Sequence, residues 1–86
     1  MKINVYEDGM LIKVIPMDYN SSLSIEFSHT DNSGNDRYKV FCDSNEVTFS
    51  GFRIIKSKAS NAIARIQEAY INGDSHFDIK FGNQNQ

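Results

Sequence analysis

The chain has 86 residues, 40% of them hydrophobic, with six Phe, four Tyr and one Cys. That is enough apolar side chain for one core and too little for two, so residues 1–82 read as one domain and the polar residues 83–86 as a flexible tail. With 11 acidic against 9 basic residues the chain carries no basic field of the kind that gathers nucleic acid, and no apolar run is long enough to span a bilayer.

In chain order, residues 2–7 and 10–15 are rich in strand-forming types and flank Asp8-Gly9, a pair suited to the positive φ angles of a two-residue type I′ turn. A regular hairpin about that turn sets Glu7 opposite Met10, Val5 opposite Ile12 and Ile3 opposite Val14. Ile3, Val5, Met10, Ile12 and Val14 are then expected to form a core face, and Tyr6, Leu11 and Ile15 to point away from it. Pro16 lacks a backbone donor and closes the second strand.

Leu23, Ile25 and Phe27 alternate with polar residues in a third strand, and the polar run 30–36 is a loop. Tyr38, Val40 and Cys42 alternate in a fourth strand, Asp43-Ser44-Asn45 turns the chain, and Val47 and Phe49 begin a fifth. A change of phase at Gly51, toward Phe52 and Ile54, predicts a bulge or bend. One helix is expected over 58–72, with Ala59, Ala62, Ile63, Ile66, Ala69 and Tyr70 on one stripe, Ser57 as its cap and Gly73 as its stop. Phe77, Ile79 and Phe81 alternate in a last strand. The expected fold is α+β, a two-layer arrangement of an antiparallel sheet of about five to six strands packed on one helix, in the order β-β-β-β-β-α-β.

Catalytic equipment is sparse. Cys42, His29 and His76 fall in no local nucleophile motif, and Cys42 reads as a small core residue. An unpaired cysteine and an N-terminal stretch broken early by polar residues lead to the expectation of a reducing, cytoplasmic setting. The run Asp31-Asn32-Ser33-Gly34-Asn35-Asp36 has oxygen-bearing side chains at alternate positions, but its glycine comes two places early for a calcium loop and Cys42 stands where the closing Glu belongs. No metal, cofactor or enzymatic activity is expected. Arg53, Lys56 and Lys58 gather near the helix start, where they could meet a phosphate beside stacking aromatics. The acids, no fewer than the bases, favour a solvated charged edge instead. The hairpin face with Tyr6, Leu11, Lys13 and Ile15, with Phe41 expected on the same side, has the apolar and aromatic make-up of a protein interface, or else is covered by a loop such as 16–22 or enclosed by coiling of the sheet.

Val5-Tyr6-Glu7-Asp8-Gly9 followed by Ile12-Lys13 resembles the V-Y-E-N-G-x-x-I-K strand–turn–strand of the small phage-encoded type I-F anti-CRISPR proteins. Arg65-Ile66-Gln67-Glu68-Ala69 echoes a helical R-I-E-x-A run of the same family. The resemblance implies a small α/β protein that binds the backbone of a CRISPR surveillance complex and blocks target-DNA hybridisation, with Tyr6 on the binding surface. The chain departs from that pattern: no strand precedes the hairpin, a strand follows the helix, and Met17 lies near the position of an acidic contact residue. The expected function is that of a non-enzymatic binding domain, monomeric or homodimeric, that inhibits a host protein or ribonucleoprotein complex by occlusion in the host cytoplasm. The alternative is a weak single-stranded nucleic-acid-binding domain.

Overall fold

The computed structural model describes residues 1–49 and 53–82. Its elements are β1 (Lys2–Glu7), β2 (Met10–Pro16), β3 (Leu23–Thr30), β4 (Asp36–Cys42), β5 (Asn45–Glu46), α1 (Lys56–Ile71) and β6 (His76–Phe81). The protein is therefore an α+β domain in the expected element order. The strands divide into two sheets, β2-β1-β6 and β3-β4-β5, packed with the helix around one core. β6 runs parallel to β1, and the connection between them, which carries β2 to β5 and the helix, is long enough for the crossover that a parallel pair requires. β1, between two partners, buries Ile3 and Val5 completely.

The Asp8-Gly9 turn forms as expected, with φ of 49° and 85°, and Glu7 opposes Met10 and Tyr6 opposes Leu11. Beyond that pair the regular register fails. Ile12 is an extra residue on β2, so Val5 meets Lys13, Asn4 meets Val14 and Ile3 meets Ile15. The bulge exchanges the two faces of the strand. Ile15 and Met17 enter the core, whereas Ile12 and Val14, expected inside, are exposed; Met10, also expected inside, precedes the bulge and is exposed at the turn.

Proline supplies the physical reason. Met1 and Met17 exchange both backbone bonds, at 3.0 and 2.8 Å, which makes Lys2 and Pro16 a pair whose backbone groups point away from each other. The missing N–H of Pro16 then costs nothing. In the unbulged register Pro16 would face Met1, at a site that needs a donor. The exchange of Ile12 and Val14 for Ile15 and Met17 leaves the number of buried apolar residues unchanged, so the proline decides.

Tyr38, Val40 and Cys42 face inward as their alternation predicts, with Val40 and Cys42 fully buried. β5 forms two residues earlier than expected, at Asn45–Glu46, because Asp43 adopts a φ of 56° and closes the turn after one more residue, Ser44. The phase change at Gly51 and Phe52 and the tail 83–86 lie outside the described residues. The helix starts at Lys56 with Ile55 before it and no side-chain cap, so Ser57 lies within the first turn. Its expected stripe holds: Ala59, Ile66 and Ala69 are buried. Gly73, at φ 80°, donates to Tyr70 while Asp74 donates to Ala69, the paired bonds that close a helix on a left-handed residue.

Ile15→Ala is expected to cost about 2–4 kcal/mol in chemical denaturation and Ile12→Ala less than about 1 kcal/mol. The opposite ranking would mean that the strand pairs without the bulge.

Candidate functional site

The bulge determines what the outer face of the β2-β1-β6 sheet presents. Cross-strand pairing arranges that face in rows: Leu11, Tyr6 and Lys80, then Val14, Asn4 and Asp78, then Pro16, Lys2 and His76. Ile12, the bulged residue, opposes no residue of β1. Leu11, Ile12 and Val14 are 50%, 45% and 45% exposed, and Met10 at the turn is 72% exposed. Tyr6, in the middle strand, is half-buried with the Lys80 ammonium 5.9 Å from its ring centre, a cation–π arrangement. Asn4 Nδ2 donates to Asp78 Oδ1 at 3.0 Å. The face thus grades from an apolar margin on β2, through an aromatic centre, to a polar margin on β6.

Of the residues the sequence proposed for binding, Tyr6 and Leu11 lie together on this face. Ile15 does not: it is in the core, by the bulge. Lys13 sits on the inner side of the sheet, where its Nζ donates to the Glu46 carbonyl at 2.6 Å. Phe41 belongs to the other sheet, opposite Ser24 and Glu46. Ile12 and Val14, assigned to the core by the regular register, are the surface residues that reading missed. The signal that could have found them is the parity of Pro16.

The basic residues near the helix are engaged separately. Arg53 holds Glu46 in a two-pronged ion pair, Nε to Oε2 and Nη2 to Oε1, each at 3.1 Å. Lys56 lies 6.0 Å from the Tyr38 ring centre, and Lys58 is exposed. Glu46 Oε2 also accepts the hydroxyl of the fully buried Thr48 at 2.6 Å, and that hydroxyl accepts the Val40 N–H at 3.1 Å. Burial acts to raise the Glu46 carboxyl, but the bonds from Arg53 and Thr48 outweigh it and hold the group below its usual range.

Cys42 is wholly buried, its Sγ 4.0 Å from the Pro16 carbonyl, and burial first, then the charge of Asp43, pushes its thiol up. His29 and His76 are exposed and bond to the neighbouring Ser28 and Ser75. In the loop after β3, Asp31 closes its own turn. Its Oδ1 accepts the N–H groups of Ser33 and Asn35 at 2.9 Å, and its Oδ2 takes Arg37 Nε at 2.9 Å. The Asn35 amide and then the Arg37 guanidinium hold this carboxyl below its usual range. Among the described residues no group of three or more His, Cys, Asp or Glu side chains could hold a metal ion, and no helix is long and apolar enough to cross a membrane.

No protein-family model, curated protein or solved structure matches the chain.

Two outcomes test the Glu46 network. Thr48→Val is expected to cost about 1–3 kcal/mol, because the Val40 N–H loses its acceptor and Glu46 a donor. Since the folded-state pKa of Glu46 is depressed, its stabilisation is present above the unfolded carboxyl pKa of about 4.3 and is lost as pH falls through the folded value. Glu46→Gln should therefore lower the melting temperature at neutral pH, with the difference from wild type closing in acid.

Proposed function

We propose that this protein is a non-enzymatic binding domain that engages a macromolecular partner through the outer face of β1 and β2 and acts by occluding it. The observation that carries this reading is that Leu11 and Val14 are exposed beside Tyr6 on a face with a charged margin, with the exposed Ile12 between them in the strand. Clustered apolar and aromatic groups with a polar rim are the composition of an interaction surface, and tyrosine is among the residues that most often anchor one. The buried thiol, the separated histidines and the self-closed Asp31 turn offer nothing comparable for catalysis.

The mode of engagement follows from the β2 edge. Pro16 lacks a donor there, Cys42 lies against the Pro16 carbonyl, and Ile12 bulges. These features blunt the edge against strand addition, so side chains of the face make the contact. Tyr6 stands where the resemblance to the type I-F anti-CRISPR family puts a binding tyrosine. That makes a type I-F surveillance complex the first partner to try, and an inhibitor carried by a phage or mobile element, acting in the host cytoplasm, the biological role we infer. The alternative single-stranded nucleic-acid reading has less to draw on, since Arg53 is held by Glu46.

Purified protein is expected to bind that complex and prevent its hybridisation to target DNA. Tyr6→Ala with Leu11→Ala should weaken binding about a hundredfold or more, while Ile71→Ala, exposed on the helix away from this face, leaves it unchanged. A folded double variant that binds like wild type removes the surface from consideration. Absence of binding by the wild-type chain removes the partner, and a salt-sensitive mobility shift with single-stranded DNA would favour the nucleic-acid reading instead.

A further inference from the structure

β6 is the outer strand of its sheet, on the margin opposite β2. The direction of its backbone groups follows from the bonds at its ends. The Lys2 N–H donates to the Ser75 carbonyl at 3.1 Å and the Asp8 N–H to the Phe81 carbonyl at 3.0 Å. In a parallel ladder a residue bonds to the two neighbours of the one it opposes, so odd-numbered residues from 75 to 81 turn their N–H and C=O groups toward β1. His76, Asp78 and Lys80 turn theirs to the open edge. Their side chains are exposed, and neither proline nor a register shift interrupts the strand. Such an edge is a template for another strand.

Charge selects which strand. Antiparallel pairing of two copies across a two-fold axis must oppose residues whose backbone groups face outward. The registers that overlap most of β6 are centred on Asp78, on Ile79 or on Lys80. Centring on Asp78 or on Lys80 sets like charges directly opposite, which is destabilising. Centring on Ile79 sets Asp78 opposite Lys80 of the second copy, twice by symmetry. On the other face the same register sets Ile79 opposite Ile79 and Phe77 opposite Phe81, apolar on apolar. The stretch Phe77-Asp78-Ile79-Lys80-Phe81 is thus complementary to itself in reverse. Neither charged residue takes part in the ion pairs among the described residues, Asp31–Arg37, Glu26–Lys39 and Glu46–Arg53.

We propose that β6 is a homodimerisation edge: two copies of the chain pair antiparallel about Ile79, joining their three-stranded sheets into one continuous sheet. The contact lies across the sheet from Leu11 and Val14, so the dimer displays the binding face twice. It stands or falls independently of what that face binds.

Sedimentation equilibrium of the full chain tests this. Wild type is expected to dimerise. Asp78→Lys and Lys80→Asp should each weaken self-association about tenfold or more, since each turns both symmetric pairs from unlike to like charge. An equimolar mixture of the two variants should associate again as a heterodimer, because every facing pair then carries opposite charges. Circular dichroism checks that the variants fold, and where a reversal does not, Lys80→Gln is expected to weaken association to an intermediate degree. A wild type that stays monomeric, a dimer indifferent to these substitutions, or a mixture that fails to recover association would overturn the proposal.

Discussion

The absence of one hydrogen atom on the backbone of Pro16 governs the hairpin and, through it, much of the molecule. Strand pairing counts in twos, and a proline can stand only where its amide would have faced away from the neighbouring strand. The turn at Asp8-Gly9 starts the count at one parity and Pro16 demands the other. Ile12 absorbs the difference. From that follow the burial of Ile15 and Met17, the inward course of Lys13 to the Glu46 carbonyl, the exposure of Ile12 and the outward display of Val14.

Glu46 ties the two sheets together at the place where Lys13 arrives. Its carbonyl receives the β2 lysine, its carboxylate receives Arg53 from the chain leading into the helix, and through Thr48 it reaches the backbone of β4. A partly buried polar network of this kind stabilises little for its size, but leaving its buried members, Thr48 and the Val40 N–H, unpaired is costly. It therefore fixes how the sheets meet more than how tightly they do.

Much of the fold was legible in the sequence. Simple alternation read β3, β4 and β6, and an apolar stripe with a terminal glycine read the helix. What escaped did so for identifiable reasons. Met10-Leu11-Ile12-Lys13-Val14-Ile15 has apolar residues at both parities, so alternation could not say which side faces inward, and the register was carried from the turn alone. Arg53 looked like a free cation because its partner lies seven residues back, across a stretch with no regular period. The candidate face was half legible: Tyr6 and Leu11 precede the bulge and keep their expected side, whereas Ile15 follows it and loses its place on the surface.

The parallel pairing of β1 with β6 also shapes how the chain reaches this structure. Asn4 and Asp78, bonded across those strands, are 74 residues apart. The central strand of the sheet thus waits for a segment made long after it, and closing so long a loop slows folding. Until then the hairpin holds Ile3 and Val5 with one flank of β1 open, and an unpaired strand bearing apolar side chains is a hazard in a crowded cell. The close approach of Asp8 to Gly82, where a side chain at Gly82 would strike the Asp8 carboxyl, then acts as a final fit, met only once β6 is in register. The order of synthesis thus runs against the order of need, and until β6 is made β2 is the one neighbour that this sheet offers to β1.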